Sequence, residues 1–153
     1  MENFTDKLIK MAKVGGLTFK SITENELTPE RKQIIHSLIG DREDSTSLRK
    51  FNYELPSEIH KSFFLDTLEI YLFSNKTCLL LWDLGNIDHN SNDHRVGIYE
   101  ETADAIKTKT ISVWRDSESV EENVFTKKND MTLLFDDTKS SVIVKEKILL
   151  LNN

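Results

Sequence analysis

Residues 65–84 constrain the fold more than any other part of this 153-residue chain. They read LDTLEIYLF, then Ser74-Asn75-Lys76, then TCLLLWDL, two apolar runs of strand length around a polar three-residue break. Such a break between such runs predicts a β-hairpin. The second run, Cys78-Leu79-Leu80-Leu81-Trp82, is apolar at odd and even positions alike. Side chains alternate across a strand, so this one has to bury both faces. It belongs in the middle of a sheet with cover above and below.

Two helical patterns precede the hairpin. Phe4, Leu8, Met11 and Ala12 recur at spacings of three and four, with Asn3 placed to cap the start and Gly15-Gly16 to stop it. Leu17, Phe19 and Ile22 then alternate with polar residues as a short strand would. Thr28-Pro29-Glu30 combines a capping hydroxyl, a proline suited to the first helical position and a carboxylate against the positive end of the dipole. Ile34, Ile35, Leu38 and Ile39 add the apolar stripe and Gly40 the stop, so a helix is predicted over residues 29–39.

Strand patterns dominate the remainder. Asp41 to Ser47 is a charged connector, after which Phe51, Tyr53 and Leu55 alternate with Lys50, Asn52 and Glu54. Pro56-Ser57-Glu58 can open a short helical turn through Phe63. Beyond the hairpin, Asp83 to Asp93 reads as a polar loop and Arg95–Tyr99 as a short strand. Thr108 to Arg115 reads as another, with Ile111 and Val113 on one face and Trp114 on the other. Met131, Leu133 and Phe135 alternate up to a turn-rich break at Asp136–Ser140. Val142–Val144 and Ile148–Leu151 follow, and the parity of apolar positions shifts around Lys145–Lys147, which predicts a bulge or a change of direction. No long helical pattern separates these strands, so parallel crossovers are not expected. The expected architecture is α+β in a single domain over residues 1–153. Its N-terminal helices, within 1–40, pack on a largely antiparallel, roughly six-stranded twisted sheet formed by 49–151.

Charge narrows the function classes. The net charge is −6, and it is uneven: residues 1–82 carry net −1 and residues 83–153 net −5. Nucleic-acid binding rests on a basic surface that releases counterions from phosphates, so direct nucleic-acid binding is not expected. No apolar run approaches the ~20 residues that cross a bilayer, and the start lacks a basic-then-apolar leader pattern. A cytoplasmic chain without a membrane partner is the expectation. Cys78 is the one cysteine, set in the most apolar strand, and is expected to be a small buried hydrophobe rather than a nucleophile.

The densest set of potential ligands is Asp88-His89-Asn90-Ser91-Asn92-Asp93-His94. Asp88, Asn90 and Asn92 match the first three ligand positions of a calcium loop, but the sixth position is Asp93 instead of glycine and the twelfth is Tyr99 instead of glutamate. His89 and His94 are five apart, not the four that aligns two imidazoles on a helix for zinc. The segment reads as an exposed loop, with no metal expected. There is no G-x-S-x-G elbow and no phosphate loop, and His36 and His60 have no evident catalytic partners, so neither a catalytic residue nor a cofactor is expected.

What remains is acidic. Asp116, Glu118, Glu121 and Glu122 lie in one loop-like segment, and Glu100, Glu101 and Asp104 in another. In a meander these segments fall at the ends of neighbouring strands and can merge into one anionic surface, suited to steer and cover a cationic protein. In size, charge and lack of a catalytic signature the chain resembles the small acidic immunity proteins that neutralise bacterial toxins. The likeness implies an inhibitor that occludes a cationic partner such as a toxin nuclease, with those seven carboxylates as the contact residues. Two other readings fit the same sequence. One is a secretion chaperone or adaptor that binds partner segments through apolar surface or sheet edges. The other is a small enzyme or metal-binding protein using the Asp83–His94 loop.

Overall fold

The fold is carried by a chain of nearest-neighbour strand pairings that ends by returning to its own beginning. In the computed structural model, which describes residues 3–14, 27–55, 66–83, 92–113, 119–129, 132–135 and 142–151, two helices precede eight strands. The helices are α1 (Phe4–Val14) and α2 (Pro29–Ile39). The strands are β1 (Ser47–Leu55), β2 (Asp66–Phe73), β3 (Thr77–Asp83), β4 (Asn92–Glu101), β5 (Ala105–Ser112), β6 (Glu121–Asn129), β7 (Thr132–Phe135) and β8 (Val142–Leu150). Every pair is antiparallel, and β8 pairs with β1, so the sheet is a closed barrel. The α+β class, the N-terminal helices and the antiparallel pairing are as the sequence implies. The sheet is larger than the roughly six strands expected, and it closes.

The predicted hairpin is β2–β3. Lys76 adopts φ 70°, its N–H donates to the carbonyl of Phe73 (3.0 Å), and the three-residue connection reverses the chain with a left-handed residue at its end. Cys78 and Leu80 face the barrel interior together with Leu68, Ile70 and Leu72, while Leu79 and Leu81 face the helices together with Tyr71 and Phe73. The double-sided apolar run therefore has cover on both faces, as alternation requires. That cover consists of the lumen side chains on one side and α1 and α2 on the other.

The helices start where their caps place them. Asn3 Oδ1 accepts from Asp6 N–H (2.9 Å), and Thr28 Oγ1 accepts from Arg31 N–H (3.2 Å) with Pro29 in the first turn. Gly40 ends α2 at φ 74°, a conformation that favours glycine. Phe4, Leu8, Ile9, Met11 and Ala12 of α1 and Ile35 and Ile39 of α2 are buried against β3 and β4, and Phe4 meets Phe73 edge-on with ring centroids 5.3 Å apart. The predicted stop at Gly15-Gly16, the short strand at Leu17–Ile22 and the turn at Pro56–Phe63 lie outside the described residues.

The lumen is filled by side chains, as an eight-stranded barrel allows. Phe51, Leu68, Ile70, Leu72, Cys78, Leu80, Tyr99, Ile106, Phe125 and Leu133 form one buried cluster inside it. The bulge expected near Lys145–Lys147 is present: Phe51 pairs with Glu146 and Asn52 with Val144, leaving Lys145 as the extra residue. Gly97 marks a position where β5 leaves no room for a side chain on β4. A Cβ at that position would overlap the Lys109 carbonyl and lie 2.8 Å from Thr110 Cα.

Two sequence readings need correction. The loop-like stretch around residues 116–122 is strand from Glu121 onward, and the polar loop expected up to Asp93 gives way to β4 at Asn92. In β6 the inward positions are Glu121, Asn123 and Phe125, opposite Thr110, Thr108 and Ile106. A polar interior lane of this kind carries no apolar alternation to betray a strand.

Candidate functional site

Strands β4, β5 and β6 bring the acidic residues together and set lysines between them. On the outer face, Ile98, Lys109 and Glu122 form one cross-strand row, and Glu100, Lys107 and Val124 form the next. Each row holds an apolar residue, a lysine and a glutamate, in opposite order. Glu100, Lys107, Lys109 and Glu122 are exposed, while Ile98 and Val124 are half-buried at opposite corners. A depression of about 120 Å³ lies over these six residues. Lys109 Nζ approaches Glu122 Oε1 at 3.6 Å, an exposed pair in high dielectric.

Glu101 points the other way, into the mouth of the barrel at the end that carries the β2–β3 and β4–β5 turns. Arg49 Nη1 donates to its Oε1 (2.8 Å), and Lys127 Nζ pairs with its Oε2 (2.7 Å). The three residues come from β1, β4 and β6, none of them adjacent strands, so the ion cluster spans the lumen. Burial opposes ionisation of Glu101, but the Lys127 ammonium and the Arg49 guanidinium more than offset it and hold this carboxyl below its ordinary range. The Arg49 guanidinium also lies over the Phe51 ring, 5.5 Å from its centroid.

Glu121 reaches a second polar group, toward the other end of β4, with 51% of its own side chain exposed. Arg95 is buried, and it donates through Nε to Thr110 Oγ1 (3.0 Å) and through Nη2 to the Thr110 carbonyl (3.3 Å). Its Nη1 reaches Asp93 Oδ2 (3.3 Å), and its Nη2 lies 3.4 Å from Glu121 Oε2. Asp93 in turn accepts from Ser112 Oγ (3.0 Å). Thr108 sits beside this group in the interior, fully buried, its hydroxyl without a hydrogen-bond partner among the described residues.

The seven expected contact carboxylates are thus divided. Glu100 and Asp104 are exposed, at the end of β4 and in the β4–β5 turn. Glu122 shares the outer face with Glu100, with Lys107 and Lys109 between them. Glu101 and Glu121 are held by Arg49, Lys127 and Arg95. Asp116 and Glu118 lie outside the described residues. The partnering cations were missed in the sequence because Arg49 stands 52 positions from Glu101, Arg95 26 from Glu121 and Lys127 26 from Glu101, in no motif, and only the fold of the barrel joins them. Lys107 and Lys109 were recoverable: the alternation Lys-Thr-Lys-Thr puts both on one strand face.

The other candidate groups offer little chemistry. Of the Asp88–His94 segment, 88–91 lies outside the described residues. Asp93 is committed to Arg95 and Ser112, and His94 is buried on the face that the helices cover. Among the described residues, no group of three His, Cys, Asp or Glu side chains is placed to hold a metal ion. Cys78 is wholly buried, and burial pushes its thiol far above the range in which a thiolate forms. His36 rests between Thr5 (3.4 Å) and Asp41 (3.3 Å) at the open groove between the two helices. No helix among the described residues is long and apolar enough to cross a membrane. Compared with known proteins, the chain matches no family model, no curated protein and no solved structure.

Proposed function

We propose that this chain is a protein-binding inhibitor of the immunity-protein type, which acts by occupying a cationic partner such as a toxin domain. The observation that carries the reading is the filled lumen. Its interior residues are packed to near-complete burial, so recognition is left to the outside of the barrel. Small-molecule carriers built on barrels keep a cavity, and this interior is instead filled by packed side chains, with the Arg49–Glu101–Lys127 cluster across one mouth. On the outside, Glu100, Asp104 and Glu122 supply exposed carboxylates on rigid strands and a tight turn, a support suited to electrostatic docking.

The test is co-purification of the tagged chain from its native host, followed by charge reversal. A stoichiometric basic protein partner is expected. The combined change Glu100→Lys, Asp104→Lys and Glu122→Lys is expected to weaken its binding more at low salt than at high salt. Recovery of no stable protein partner sinks the reading, and equal loss at both salt concentrations moves the interface elsewhere.

A second reading, an adaptor that binds an extended segment at a sheet edge, is favoured by β8. Strand β7 pairs only with Val142–Val144, so among the described strands the rest of β8 pairs with β1 alone. Ile148 and Leu150 on that stretch are 71% and 78% exposed. A homodimer whose partner is lost on Ile148→Lys, with the carboxylate reversals silent, would favour this reading over the first.

A further inference from the structure

We infer that the depression over β4–β6 is a socket for a single apolar side chain of a protein partner, flanked in that partner by charges of both signs. The inference rests on the protein-binding reading above and names the surface it would use.

Size selects the occupant. At about 120 Å³ the depression falls below the ~300–1,000 Å³ of typical metabolite sites and close to the ~150 Å³ that holds one benzene ring. A single leucine- or phenylalanine-sized group is the matching ligand. Its apolar contacts come from Ile98 and Val124, half-buried at opposite corners, and from the aliphatic stems of Lys107 and Lys109 between them.

Charge selects the neighbours of that group. The rim holds two ammonium groups and two carboxylates, so its own charge sums to zero within a chain of net −6. Glu100 and Glu122 stand at the two remaining corners, with Lys107 and Lys109 along the central strand. A uniformly basic segment would meet the two lysines, and a uniformly acidic one the two glutamates; like charges brought together this way are costly. A segment carrying one base and one acid around its apolar residue satisfies both. An apolar centre with a charged rim is also the usual anatomy of a binding hot spot. The surface belongs to three fully paired strands, so the socket exists before the partner arrives.

The test is an amide chemical-shift titration of the full chain with the synthetic peptide N-acetyl-Lys-Leu-Glu amide. Saturable shifts are expected at residues 98–100, 107–109 and 122–124, with at least ~5-fold weaker binding when the leucine is replaced by alanine, since its buried methyl groups carry the contact. Val124→Arg is expected to abolish the shifts while amide dispersion shows the chain still folded. Should that variant unfold, the exposed pair Lys107→Glu with Lys109→Glu serves instead, and is expected to shift preference to N-acetyl-Lys-Leu-Lys amide. Absence of saturable shifts, shifts centred elsewhere, or equal affinity for the alanine peptide overturns the socket. If a host partner binds the Val124→Arg chain as tightly as the wild type, the socket falls while the protein-binding reading stands.

Discussion

Strands β2 and β3 bury apolar side chains on both faces, whereas β5 and β6 mix Thr108, Thr110 and Asn123 with Ile106 and Phe125 inside the barrel and turn lysine and glutamate outward. Both pairs are antiparallel neighbours in one closed sheet, so pairing alone does not distinguish them. What differs is the source of stability. The first pair is held by transfer of apolar surface from water and anchors the helices; the second adds directed polar contacts to a smaller apolar share and leaves lysine and glutamate exposed on its outer face. Firm scaffold and exposed charged surface thereby fall on different strands of the same barrel.

The largest expected effect is on the apolar side. Phe73 is completely buried between the sheet and the Phe4 ring, so Phe73→Ala removes core volume and the α1 contact together. A loss of about 3–5 kcal/mol is expected in denaturant unfolding. On the polar side, Arg95→Ala deletes charge-assisted hydrogen bonds to Asp93 and Thr110 and is expected to cost about 1.5–3 kcal/mol. Equal losses at the two sites would mean that the polar lane is as firmly held as the apolar one.

How much of this was readable in the sequence follows the same division. The β2–β3 hairpin, helix α2 and the β8 bulge are written in local signals: runs, caps and a shift of parity. Strand β6 is not, because its inward residues are Glu121, Asn123 and Phe125, and only one of the three is apolar. Barrel closure was equally hidden, since β1 and β8 meet across almost a hundred residues and nothing local records which edges join. The acidic residues were found, but not their partners. Clustering along the chain shows where carboxylates are, while burial and cross-lumen contacts decide that Glu101 is held by Arg49 and Lys127 and that Glu100 is not so placed.

A change of opposite sign isolates the weakness of the polar lane. Thr108 buries a hydroxyl that no described residue satisfies, a state that costs about 1–3 kcal/mol when it persists. Thr108→Val keeps the branched shape and removes the polar atom. A gain of about 1 kcal/mol in unfolding free energy is expected. A loss of similar size would show that the hydroxyl has a partner and that this lane is better satisfied than its contacts indicate.

The smallest effect is expected at the barrel mouth, and pH is the means of seeing it. Glu101 is held below its ordinary pKa in the folded state by Lys127 and Arg49, against the opposing effect of burial. A carboxyl depressed on folding contributes stability that is fully present above its unfolded value of about 4.3, and that contribution is lost as pH falls through the lower folded value. Glu101→Gln keeps the shape and removes the charge, so at pH 7 it is expected to cost on the order of 1 kcal/mol, with wild type and variant converging in acid. Urea midpoints measured between about pH 7 and pH 3 would test this. Curves that stay parallel over that range would show that the cluster contributes by packing rather than by charge. The mouth of the barrel would then be closed by the same apolar means as β2 and β3.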